Sequence, residues 1–287
     1  MRFRFIHQHL RQFGVRLMCR VLGVTPSGYY AWRSRPESNR TREDRRLLVE
    51  IRASHEVSRQ TYGVGRIHAD LRDAGESCGR HRVARLMRED GIVAKKARQF
   101  RTTTNSDHSN PLAPNILDQN FRVETPDTVW AGDITYLRTR EGWAYLAVLL
   151  DLCSRSVVGW SLSSTLETEL PLQALAQAVV SRQPGPGVVH HSDRGSQYTS
   201  VDYQDRLGEL GMEPSMSRRG NCYDNAVVES FFDTLKTEIG IEVFESRAHA
   251  RRALFDYIEV FYNRRRRHSA LGNISPAAFE RLARRAA

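Results

Sequence analysis

Hydrophobic and polar positions change their period twice along this chain. Over residues 1–100 apolar residues recur three and four apart, which predicts helices. MCRVLGVTPSGYYAWRSR (18–35) reads as a short helix, a Gly-Val-Thr turn and a second helix opened by Pro26. RRLLVEIRASHE (45–56) adds another helix, and GVGRIHADLRDAGESCGRHRVARLMREDG (63–91) reads as helix, turn, helix. In that last pair Ile67, Leu71, Val83, Leu86 and Met87 form the packed side, and Arg80, Arg82, Arg85 and Arg88 line the outer one. Residues 101–125 begin with a polar stretch of Asn, Ser, Thr and Pro without sustained period, and are expected to be a linker.

From 126 the period shortens to that of strands. TVWAGDITYLRT (128–139), GWAYLAVLLDL (142–152) and SRSVVGWSLSS (154–164) are β-rich and joined by short turns, so they are expected to lie antiparallel. A helix at 170–183, a strand at 187–193, a helix at 201–211 and a helix opening near 224 follow. In that last helix Val228, Phe232, Leu235 and Ile239 recur at helical spacing. Three hairpin-linked strands followed by alternating strand and helix predict an α/β fold, a mixed sheet flanked by helices and preceded by an all-α region. An aromatic-rich helix (250–263) and a basic tail close the chain. Four regions result: 1–100 helical, 101–125 linker, 126–245 core, 246–287 basic helical segment.

Charge is distributed unevenly over these regions. The chain carries +10 overall, but 1–100 has 22 Lys+Arg against 10 Asp+Glu, 101–245 has 11 against 20, and 246–287 has 10 against 3. Basic arms around an acidic centre suit a polyanion that reaches the centre only with a cation between them. Nucleic acid is therefore the expected partner. In a helix-turn-helix the second helix faces DNA, and here that helix bears Arg80, Arg82 and Arg85; a plain hairpin with a solvated basic face is the alternative. No apolar run has membrane-spanning length, and the basic N-terminus lacks the apolar stretch of a secretory signal, so a cytoplasmic location is expected. The four cysteines show no zinc spacing and are expected to be free thiols.

The acidic centre contains carboxylates in unusual settings. Asp133 lies within a strand, Asp193 closes the run Val188–Val189–His190–His191, and Glu229 sits beside Val228 near a helix start. A strand middle, a strand end and a helix crossing that end are able to converge on one point. Oxygen-only ligands suit Mg²⁺ or Mn²⁺, and two such ions serve phosphoryl transfer. Asp151 is a rival carboxylate better read as a turn former, and Asp224 falls before the helix settles. His190 and His191 point to opposite faces of a strand and are expected to pack or hydrogen-bond.

Fifty-nine residues separate Asp133 from Asp193, and thirty-five separate Asp193 from Glu229. With WAGDITYL, HSDRGSQYTS, DNAVVESFFDTLKTE and the tail YNRRRRHSALGNISPAAF, the chain resembles the OrfB-type DDE transposases of two-frame bacterial insertion sequences, relatives of retroviral integrases. YGVGRIHADLRDAG resembles that family's helix-turn-helix segment. The resemblance implies a ribonuclease-H-like core, a triad of Asp133, Asp193 and Glu229, and two Mg²⁺ (or Mn²⁺) ions. It implies cleavage at terminal inverted repeats and attack of the freed 3′-hydroxyl on another phosphodiester of the element or of target DNA. It also implies a homo-oligomer on DNA and an upstream OrfA product, or an OrfA–OrfB fusion, as partner. The His/Cys zinc domain of retroviral integrases is absent.

Around the triad, Lys236 is read as a contact to the DNA end, against a solvated lysine. Asn225 is read as a DNA contact or a helix cap, and Gln197 as a DNA contact beside Gly195. Arg264, Arg265, Arg266 and Arg267 are read together as a backbone-binding run. A non-catalytic DNA-binding repressor and a nuclease that cuts without joining are the competing functions.

Overall fold

Strand alternation around two tight turns folds residues 129–163 into a meander: β1 (Val129–Thr139), β2 (Gly142–Asp151) and β3 (Val157–Ser163), paired antiparallel. The turn between β1 and β2 is closed by Gly142 at φ +102°, a conformation that favours glycine. The chain then crosses over through α7 (Glu169–Arg182) so that β4 (Val189–Ser192) runs parallel to β1. After α8 (Val201–Glu209), β5 (Glu213–Met216) pairs parallel to β4, giving the order β3-β2-β1-β4-β5. A short β6 (Val243–Phe244) adds to the far end of β1. This is the mixed, helix-flanked sheet that the patterning predicts.

The structure is a computed structural model and describes residues 1–95, 112–218 and 222–286. Two units are distinguished, Met1–Arg52 and Ala53–Ala287. In the first, α1 (Arg2–Gln8), α2 (Val15–Val21) and α3 (Pro26–Ser34) enclose Ile6, Met18, Cys19 and Tyr29. Thr25 Oγ1 accepts from Gly28 N at 3.1 Å and caps α3, with Pro26 in the first turn where its missing N–H costs nothing. The boundary between the units falls within α4 (Asn39–Val57).

After the end of α4, the second unit continues with the helix pair α5 (Val64–Asp73) and α6 (Arg80–Glu89), whose buried residues Ile67, Leu71, Val83, Leu86 and Met87 are the expected packed side. Of the expected linker, 101–111 lies outside the described residues. From Pro114 the chain lies against the core: Met216 N donates to the Pro114 carbonyl oxygen at 3.2 Å, Ile116 N donates to Ser215 Oγ at 2.9 Å, and Leu117 is buried. Away from the tip of the β1–β2 hairpin, the sheet is covered on both faces. One is covered by α7 and α8 around Trp130, Leu149, Leu175 and Tyr203. The other is covered by α9 (Ala226–Ile239) and by α10 (Arg247–Phe255) running into a π-helical turn (Asp256–Tyr262), which join Ala131, Leu137, Val148, Phe231, Phe232 and Tyr257. At β3 the approach of α7 is so close that a Cβ on Gly159 would stand 2.1 Å from the Ala174 carbonyl oxygen. The chain ends in α11 (Pro276–Ala286). Among the described residues no helix is long and apolar enough to cross a membrane.

Candidate active site

The parallel register of β1 and β4 brings two of the predicted carboxylates together. The register ends at Gly132 paired with Ser192, so the residues that follow, Asp133 within β1 and Asp193 just past the end of β4, leave that pair side by side, about one strand spacing of 4.8 Å apart at the backbone. Side chains alternate along β1, so Asp133 shares its face with Ala131 and Leu137, the face that α9 covers. Glu229 lies in the first turn of α9, half-buried beside the fully buried Val228. Packing by Val228, Phe231, Phe232 and Leu235 fixes this helix and with it the direction of Glu229.

Local hydrogen bonds orient the two aspartates. Asp133 Oδ1 accepts from Ile134 N at 2.7 Å, and Asp193 Oδ1 accepts from Gly195 N at 2.9 Å. Gly195 belongs there for a steric reason: a Cβ would come within 3.0 Å of Asp193 Oδ1 and 3.3 Å of Gln197 Oε1.

The three carboxylates feel one another's charge. Burial, then Asp193, then Glu229 push the Asp133 carboxyl well above its ordinary range, against the Ile134 N–H and the Lys236 ammonium. Burial, Asp233 and Asp193 raise Glu229. Lys236 is lowered by burial, while Asp233 and Asp133 favour its charged form. Among the described residues no three His, Cys, Asp or Glu side chains close into a ready-made metal cage. The donor set is nonetheless all oxygen, and its accumulated negative charge is the kind a hard divalent cation relieves.

Neighbouring residues divide into those at the site and those committed elsewhere. Asn225 is buried, donates weakly to the Gly132 carbonyl oxygen at 3.4 Å, and its Oδ1 has no hydrogen-bond partner; its side chain does not cap α9. Gln197 Nε2 donates to the Leu166 carbonyl oxygen at 3.1 Å. Asp224 is held by Arg218, Asn115 and Gln119, and Arg218 keeps its carboxyl below the usual carboxylate range. Asp151 is fully buried and accepts from Asp127 N and Ser154 N, closing the turn after β2. His190 bonds the Tyr203 hydroxyl at 2.9 Å and His191 bonds Ser215 and Ser217, on opposite faces of β4.

The tail arginines do not form one exposed run. Arg264 and Arg265 are exposed. Arg266 is 5 % exposed and donates through Nε to both carboxylate oxygens of the buried Glu238, at 2.9 and 2.8 Å. Arg267 donates to Asp70 and Asp73 of α5 and to the Asn273 carbonyl oxygen. Four consecutive arginines after a helix cannot all face one way, and two of these meet carboxylates that are remote in sequence. On α6, Arg80 is exposed, Arg82 is half-buried, and Arg85 pairs with Glu89 at 2.8 Å. Asp233, one turn beyond Glu229, adds a fourth carboxylate to the electrostatics of the site; its i+4 spacing from Glu229 was the available signal.

Family models described as "Integrase core domain" match residues 123–222 and 210–276, and one described as "HTH-like domain" matches 42–100. The insertion element IS600 uncharacterized 31 kDa protein of Shigella sonnei is 47% identical over 263 residues, covering 91% of this chain and 97% of that protein. The transposase InsF for insertion sequence IS3A of Escherichia coli strain K12 is 44% identical over 283 residues, 98% of each. Among solved structures, a chain of the simian T-cell lymphotropic virus intasome in complex with a PP2A regulatory subunit matches at TM-score 0.47 and 16% identity, over 76% of this chain and 74% of that one.

Proposed function

The chain belongs to the IS3 family of insertion-sequence transposases, and from that premise we propose that Asp133, Asp193 and Glu229 are the carboxylates with which this DNA strand transferase cleaves and joins. The observation that carries this assignment is the β1/β4 register, which sets Asp133 beside Asp193 on the face crossed by α9. Nicking at the element's ends frees a 3′-hydroxyl. That oxygen attacks phosphorus in a second phosphodiester; one P–O bond forms as another breaks, so no external energy source is required.

The three carboxylates would hold Mg²⁺ or Mn²⁺, two ions in this reading. Such ions activate the attacking oxygen and stabilise the leaving one. The Gly195 N–H keeps Asp193 in orientation, and the packing of α9 does the same for Glu229. Lys236 is placed in the reading as a cation for the phosphate of the DNA end, supported by its electrostatic tie to Asp133. Asn225 offers a buried acceptor, and Gln197 an amide near Asp193. Arg80, Arg82 and Arg85 of α6, with Arg264 and Arg265, supply further contacts to the backbone. The pair that Arg85 makes with the exposed Glu89 is open to exchange for phosphate, whereas Arg266 and Arg267 are left out because they are themselves largely buried against carboxylates. Assembly as a homo-oligomer on terminal repeats, with an upstream OrfA product or as its fusion, completes the proposal, as does work in the bacterial cytoplasm.

The test compares wild type with Glu229→Gln on a labelled duplex carrying the element's end, with Mg²⁺ or Mn²⁺ and with EDTA. Metal-dependent nicks and joined products that vanish in Glu229→Gln support the triad. Unchanged joining by Glu229→Gln overturns it, and nicks without joining point to a nuclease.

A further inference from the structure

Past Asp133 the β1–β2 hairpin leaves the shelter of α7. On the face opposite Asp133, Ile134 still packs beneath α7 beside Leu170 and Ala174, but Tyr136 is 47% exposed and Trp143 on the paired strand is 49% exposed. Their rings meet edge to face at 6.2 Å, and Tyr136 meets its register partner Tyr145 at 5.2 Å. Arg138 lies 5.7 Å over the Trp143 ring. Tyr136 is three residues along the same strand from Asp133, about 10 Å. Burial, Tyr145, and then Asp193 and Asp133 raise its phenol.

Exposed aromatic faces interleaved with arginine form the sequence-tolerant platform on which unpaired bases stack. Its charge suits the same ligand. In a region of 20 acidic and 11 basic residues, this short hairpin presents Arg138 beside the rings, while Arg140 pairs with Glu245 at 3.2 Å. Strand transfer acts on one strand of a duplex end, and a platform for an unpaired base beside that strand would hold it apart from its complement. We propose that Tyr136 and Trp143, with Arg138, hold an unpaired base of the DNA strand flanking the reacting phosphate, a role that rests on the assignment of Asp133 and Asp193 to that phosphate.

The full chain carrying Glu229→Gln serves for the test, so that binding is read without turnover and without reference to the triad's chemistry. The probe is a short duplex with 2-aminopurine at its 3′ end, either blunt or with mismatched terminal bases. The frayed end is expected to bind more tightly and to show quenched 2-aminopurine fluorescence. Tyr136→Leu and Trp143→Leu, which keep apolar bulk without a π-face, are each expected to weaken frayed-end binding about tenfold, the size of a base–aromatic stack, while blunt-end binding is unchanged. Trp143→Phe is expected to restore the preference. Equal affinity for frayed and blunt ends in all proteins overturns the proposal. So does a fall in oligomer size by light scattering with frayed-end affinity intact, which would assign the face to a second copy. Loss of joining by the triad variants is scored separately, in the wild-type background.

Discussion

Arg266→Met removes one half of a buried ion pair. Arg266 and Glu238 are 5 % and 4 % exposed, and the guanidinium Nε reaches both carboxylate oxygens. Without it, Glu238 keeps the Tyr257 hydroxyl at 2.9 Å as a hydrogen-bond donor. That bond, made to a charged carboxylate and worth about 1.5–3 kcal/mol, is kept, so the loss falls at the lower end of the about 3–5 kcal/mol that stranding a buried charge costs. The expected loss of folding free energy is therefore roughly 3 kcal/mol, read as a lower urea midpoint with unchanged slope. Glu238→Leu combined with Arg266→Met replaces both charges by apolar bulk and is expected to recover to within about 1 kcal/mol of wild type. A loss below about 1 kcal/mol for Arg266→Met alone would refute the reasoning. Weaker DNA binding at unchanged stability would return Arg266 to the DNA-contact role that its place in RRRR suggests.

Three further outcomes follow from the geometry. Gly159→Ala forces a Cβ to 2.1 Å from the Ala174 carbonyl oxygen, so α7 must shift; a loss of about 1–3 kcal/mol or more is expected in urea unfolding, and a neutral result would mean that α7 is not seated on β3 as described. Asp133→Asn removes a buried charge repelled by Asp193 and Glu229, and is expected to stabilise the protein in EDTA by about 0.5–2 kcal/mol while abolishing joining. A destabilised Asp133→Asn protein in EDTA would contradict the electrostatics. His190 and His191 are held neutral by burial, with pKa values lowered to about 3 and about 4. The unfolded chain therefore binds their protons first, below about pH 6.5, so stability falls with acidification from there until the folded-state values are reached, at up to about 1.4 kcal/mol per pH unit for each. Urea midpoints that stay flat between pH 7 and 5 would refute this.

Much of the fold was legible because its signals are local. Alternation marks β1 to β3, and helical spacing marks α5, α6 and α9 with the residues they bury. The roles of Asp151 and of the two histidines also follow from position in a strand or turn. Pairings between distant segments were not legible. Spacing alone does not reveal that Asp133 and Asp193 are register neighbours, since that depends on how far β4 slides along β1. Glu238 looks like one more polar residue on a helix until Arg266 and Tyr257 arrive from elsewhere in the chain. Tyr136 and Trp143 match the strand pattern like any aromatic, and only the extent of α7 decides that they stay uncovered.

The outer edge of β3 has one more consequence. Asn263 binds both the N–H and the carbonyl oxygen of Val157, Ser181 binds the Val158 carbonyl oxygen, Gln177 accepts from Trp160 N, and Arg251 donates to the Leu162 carbonyl oxygen. Side chains have taken the places that a further strand would occupy. Under the proposed assembly of several copies on one DNA molecule, local concentration would rise sharply, and an open strand edge would then be a template for aggregation. With much of that ladder occupied by side chains, β3 would let neighbouring copies crowd together without their sheets fusing.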